Sequence, residues 1–202
     1  MARRVRDERR RGGRGAPAGI ALAAVAVTVA VVLAGCSTGS PASDPPEPAD
    51  PGLVLTSPDL DDTGALPAWA SGVYGTTCAG ENRSPALAWD GVPDGTRSFV
   101  VTFTDPAHPS YVHWVVTGID PSATGLEPAD AGMVDGGIVG DSFRGSGTYS
   151  GPCVEGNSYV YTVFALDDEV TGTARTTLGD AHALMEGHIL DQAELVVQRA
   201  AS

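Results

Sequence analysis

Three stretches dominate the hydrophobic pattern of this chain: SFVVTFT (98–104), VHWVVTGI (112–119) and SYVYTVFAL (158–166). In the first, Phe99, Val101 and Phe103 alternate with Val100, Thr102 and Thr104. Both faces are fairly apolar, the pattern of a strand inside a sheet. The other two share its β-branched and aromatic character and predict strands of the same kind. Shorter candidates are LVLTS (53–57) and ALAW (86–89), and glycine and proline punctuate the intervals 90–95, 118–125 and 130–147. Near the end, Leu178, Ala181, Leu184, Met185, Ile189 and Ala193 recur at helical spacing, with Asp180 near the start. They predict one helix over about 177–197. The fold class is therefore mainly β, with a single C-terminal helix.

The start of the chain has a different texture. Seven arginines within residues 2–14 precede an uncharged run, Ala18 to Gly35, that ends in Leu33-Ala34-Gly35-Cys36. A basic segment, an apolar segment and small residues before a cysteine read as an export signal. The quartet resembles a bacterial lipobox, which implies cleavage before Cys36 and acylation of its thiol. The alternative is a retained single-span anchor, since the run is just long enough to cross a bilayer. Residues 1–35 are thus assigned to the signal, and 36–52 to the acylated cysteine and a linker rich in proline, serine and acidic residues. Residues 53–202 form one domain. On either reading the expected location is the extracytoplasmic face of the cell membrane.

Removing the signal sharpens the charge. Of 12 basic and 25 acidic residues, seven arginines leave together with Asp7 and Glu8, so five arginines face 23 acids, a net charge of −18. Such a surface repels nucleic acid, whose binding needs clustered Lys and Arg. If Cys36 carries lipid, Cys78 and Cys153 remain, in a compartment where disulfides persist, and only one pairing is open to them. Two separate buried thiols are the alternative.

The order of the motifs carries a resemblance. Ser84-Pro85 through Trp89, Asp105-Pro106, His113-Trp114, Gly151-Pro152-Cys153, the ALD (165–167) after the long strand and GHIL (187–190) occur in sequence. Together they resemble the phosphatidylethanolamine-binding protein (PEBP) family, in its bacterial YbhB/YbcL-like or Raf-kinase-inhibitor-like branch. The resemblance implies a central β-sheet, a smaller second sheet, peripheral helices and a small anion-accepting cavity near the sheet edge. It assigns ligand binding to Asp105, His113, Gly151, Pro152 and Tyr159, with Tyr111 at the rim. Asn157 stands where the family commonly has a second histidine and would bind the ligand as a donor without the positive charge, Ser158 stands where it has arginine, and Ala107 replaces a second acid.

In such a pocket a histidine must be charged, or donate an N–H, to hold a phosphate or carboxylate. Asp105 beside His113 would fix its tautomer and favour the protonated ring. Gly151 would let backbone approach a ligand oxygen, and Tyr159 would donate its hydroxyl. Without the resemblance, blander readings stand beside each residue. Asp105 before proline is a turn residue, His113 a core histidine, and Tyr159 a strand aromatic. His108 with Asp105 and His113 fits no established zinc spacing, so neither metal nor cofactor is expected.

The expected function is binding of a small anion, a phosphorylated ligand or a phospholipid headgroup by a lipid-anchored, extracytoplasmic protein. A regulatory protein–protein module, inhibiting a kinase or protease, is the alternative. A hydrolase using Asp105 and His113 is the third; no G-x-S-x-G elbow is present, and the expectation is that the protein is not an enzyme.

Overall fold

The computed structural model describes residues 52–74 and 78–199. The predicted signal and Cys36 lie outside them. The two largest sheets among the described residues are formed by nine strands, three further pairs of two-residue strands lying outside them: β1 (Val54–Thr56), β2 (Ala65–Leu66), β3 (Leu87–Asp90), β4 (Ser98–Thr104), β5 (Val112–Ile119), β6 (Gly125–Leu126), β7 (Ile138–Val139), β8 (Ser158–Leu166) and β9 (Ile189–Arg199). The larger sheet has six strands in the order β7-β5-β4-β8-β9-β2, and the smaller has three, β1-β3-β6. All neighbours are antiparallel except β9 and β2.

The three long apolar stretches become β5, β4 and β8, side by side at the centre. Burial of both faces of β4 explains why its sequence is apolar throughout. Phe99, Val101 and Phe103 enter the main core with Leu55, Leu87, Trp89 and Leu126 of the small sheet. Trp89 lies 5.1 Å from Phe99 and donates its Nε1 proton to the Ala123 carbonyl at 2.8 Å. On the opposite face, Val100 meets Phe164, Leu166, Val170 and Met185 in a second cluster.

The predicted C-terminal helix is half right. An α-helix, α1, spans only Leu178–Met185, opened by a capping box between Thr177 and Asp180. Gly187 then takes φ +81°, and the chain turns into β9, which pairs along β8 from Ser158↔Gln198 to Leu166↔Ile189. Ile189 and Ala193 sit four apart, a spacing common to a helix face and to alternate strand positions. The buried positions Ala193 and Val197, with exposed Gln192, Glu194, Val196 and Gln198 between and around them, show the two-residue period. GHIL thus forms a helix-to-strand turn. Besides α1, the described residues hold one turn of 3-10 helix, Ala68–Ala70. No helix among them is long and apolar enough to cross a membrane.

Candidate functional site

The site forms where β4 ends and β5 begins. Phe103 pairs with Trp114 and Thr104 with Val112, so His113 is the extra residue of a β-bulge. A bulge re-aims one side chain out of the regular alternation. Here it buries the imidazole, 4% exposed, among Phe103, Tyr159 and Phe143 at ring-centre distances of 5.1–5.2 Å. Beneath it Phe103 stacks on Tyr161 at 3.8 Å, and the Tyr161 and Tyr149 hydroxyls share a hydrogen bond of 3.0 Å. This aromatic floor fixes the ring's position.

His113 lines a cavity of about 360 Å³. Its Nδ1 is hydrogen-bonded to the Ser150 carbonyl. A carbonyl only accepts, so Nδ1 carries the proton and Nε2 bears the lone pair of the neutral ring. Burial lowers the His113 pKa below its ordinary value; the Ser150 hydrogen bond and the charge of Asp105 oppose this without reversing it. The charge of Asp105 does favour the protonated ring, as expected, but burial outweighs it, and Asp105 does not set the tautomer. The free site holds a neutral imidazole whose tautomer is set by a backbone carbonyl.

Asp105, 3% exposed, is engaged elsewhere. Its Oδ1 accepts from the backbone N–H groups of Ala107 (2.9 Å) and His108 (3.1 Å), and Oδ2 from His108 Nδ1 and Asn157 Nδ2, both at 3.1 Å. Burial works to raise its pKa, but the bonds from His108 and Asn157, with those from the two backbone groups, outweigh it and hold the carboxyl below its usual value. Asp105 is an ionised anchor for the 106–111 loop, with both oxygens twice bonded.

Asp105, His113, Gly151, Tyr159 and Tyr111 all line the cavity, whereas Pro152 and Asn157 do not. Asn157 acts behind the wall, through Asp105. The Pro152 carbonyl accepts from Gly72 N–H at 3.3 Å. Gly151 lines the cavity and has a second reason to be glycine. A side-chain carbon there would collide with the backbone of Ala70, Ser71 and Gly72, and its N–H donates to Asn82 Oδ1 at 2.9 Å. The Tyr159 hydroxyl is likewise occupied, lying 3.1 Å from Val154 N–H and 3.2 Å from the Val154 carbonyl. Its ring lines the cavity while its polar end holds the wall. Tyr111, 48% exposed, stands at the rim, edge-on to Phe143 at 5.1 Å.

Cys78 and Cys153 form a disulfide, with Cα atoms 5.6 Å apart, and Cys153 lines the cavity. Sequence reasoning missed Tyr74, Phe143 and Arg144, which also line it. Phe143 and Arg144 form the tip of a tight hairpin, Asp141–Ser142 pairing with Gly145–Ser146. The signal available was two bulky residues between turn-formers in DSFRGSG, hidden in a glycine-rich stretch. Among the described residues, no three His, Cys, Asp or Glu side chains gather as metal ligands would.

The model of the family named phosphatidylethanolamine-binding protein matches residues 56–200. A UPF0098 protein of Methanothermobacter thermautotrophicus is 40% identical over 127 residues, covering 59% of this chain and 84% of that protein. The UPF0098 protein YbhB of Escherichia coli is 40% identical over 128 residues, covering 58% and 80%. The crystal structure of Escherichia coli YbcL, described as a new member of the mammalian PEBP family, superposes with a TM-score of 0.65 at 26% identity, over 74% of this chain and 99% of that one. The bulged histidine, Gly151 and Cys153 in the cavity wall and the six-stranded sheet thus come with a match over most of the sequence, and the chain belongs to the phosphatidylethanolamine-binding protein family.

Proposed function

We propose that this protein is a lipid-anchored, extracytoplasmic binding protein whose cavity takes a small oxyanion, free or as part of a phosphorylated headgroup. The family's name supports the headgroup. The basic, apolar and LAGC segments of residues 1–36 support export and tethering.

The observation that carries the reading is the state of His113. A neutral imidazole lines an accessible cavity with Nδ1 already committed to Ser150. Its remaining nitrogen takes up a proton when an anion arrives, because an opposite charge nearby favours the protonated ring. Binding, rather than hydrolysis, is the chemistry this arrangement suits. Ser150 shares its Oγ with the Tyr74 hydroxyl at 3.1 Å, and Asp105 orients His108 rather than His113.

Ring resonances of the four histidines, followed by NMR while inorganic phosphate or phosphoethanolamine is added to the full-length chain, test the proposal. His113 is expected to shift towards its protonated position with both ligands. Shifts confined to His182 and His188, or none, would defeat it. A response to phosphoethanolamine alone would assign the headgroup as the ligand.

A further inference from the structure

The proposed anion site has a charge problem. His113 is neutral in the free protein, Asp105 is ionised, and 23 acids face five arginines in residues 36–202. One lining side chain answers it. Arg144 pairs with no carboxylate among the described residues, whereas Arg83, Arg97 and Arg199 each meet at least one. Its guanidinium lies over the Tyr74 ring, 3.3 Å from the centroid, and 5.4 Å from that of Phe143.

The backbone beneath it is well held. The Phe143 N–H donates to the Val112 carbonyl at 2.8 Å, tying the hairpin tip to the residue before His113. Asp141 N–H donates to the Thr176 carbonyl at 2.8 Å, and Arg144 N–H to Ser142 Oγ at 3.3 Å. The held backbone therefore presents to the cavity a permanent cation and, beside it, the partly exposed ring of Phe143. A guanidinium stacked on a ring keeps its N–H edge free for an oxyanion. It also occupies the π-face that an ammonium would seek, and repels that ammonium as a like charge.

We propose that Arg144 is the specificity-determining residue of this cavity, selecting an oxyanion carried on a flat apolar group, such as an aryl phosphate, over a zwitterionic headgroup. Arg144 takes the oxyanion, and the apolar group lies against Phe143 and Tyr111. This inference rests on the anion-binding reading above and narrows its ligand class.

Calorimetry on the full-length chain tests it with phenyl phosphate, inorganic phosphate and phosphoethanolamine, in the wild type, Arg144→Gln and Phe143→Ala. In the wild type, phenyl phosphate is expected to bind about tenfold more tightly than phosphoethanolamine, or better, the size of one charge-assisted contact. Arg144→Gln should weaken phenyl phosphate by about tenfold and bring the two ligands to within about threefold of each other. Phe143→Ala should weaken phenyl phosphate more than inorganic phosphate, because only the former loses its apolar contact. Both side chains are exposed, so melting temperatures close to wild type establish that the variants fold. If phosphates bind but the ligand ratio survives Arg144→Gln, the Arg144 inference is overturned and the anion site stands. If none of the three binds the wild type, both readings are overturned.

Discussion

Asp105 holds His108, not His113: its Oδ2 lies 3.1 Å from His108 Nδ1, while the His113 Nδ1 proton goes to the Ser150 carbonyl. The carboxylate at the end of β4 is thus the anchor of a loop, and the imidazole in the bulge of β5 faces the cavity without a direct acidic partner. Replacing Asp105 by Asn leaves buried donors without a charged acceptor and is expected to cost about 2 kcal/mol of stability. The effect depends on pH in a defined direction. The carboxyl's pKa is lowered in the folded state, so its contribution is present above the unfolded value and is lost as pH falls through the folded one. Urea titrations between neutral and strongly acid pH should show a larger loss in the wild type than in Asp105→Asn, where Asp61, Asp120 and Asp180, also held below their ordinary values, still contribute.

Reduction of Cys78–Cys153 opens a loop of 75 residues. It is expected to cost about 4 kcal/mol in the chain-entropy model. Denaturant midpoints with and without a thiol reductant measure this, and the double variant Cys78→Ser/Cys153→Ser should be insensitive to the reductant.

Phe103 sits between the sheet and the site, stacked on Tyr161 and 5.1 Å from His113. Phe103→Ala should cost about 3–5 kcal/mol, as for other large aromatic truncations in a core. It should also broaden the His113 ring resonance, because the imidazole loses its floor. A thermal melt and one NMR spectrum check both.

How far the sequence reaches is clear at particular residues. SFVVTFT, VHWVVTGI and SYVYTVFAL are legible as strands because β-branched and aromatic residues on both faces have no other comfortable setting. The stretch 186–199 is not, because Ile189 and Ala193 satisfy helical and strand spacing alike, and pairing with β8 across the sheet decides the outcome. Asp105, His113, Gly151 and Tyr159 are legible as a cluster through their motifs, but their roles are not. A motif does not state that Gly151 is small because Ala70–Gly72 press on it, or that the Tyr159 hydroxyl serves Val154. Arg144 is invisible in the sequence because its significance lies in a tight hairpin that carries it over Tyr74.

The central claim is that an oxyanion binds beside His113 and brings a proton with it. Sulfate, which does not titrate near neutrality, isolates that proton. The most direct measurement is calorimetric titration of sulfate into the full-length chain, in buffers of different ionisation enthalpy, at pH 7 and at pH 6. Because burial lowers the His113 pKa, the free ring is neutral at pH 7. Binding should therefore take up protons there, and affinity should rise as pH falls. His113→Asn should abolish the proton uptake and weaken binding by about tenfold or more. Heats that do not vary with buffer, together with an unchanged affinity in His113→Asn, would contradict the account.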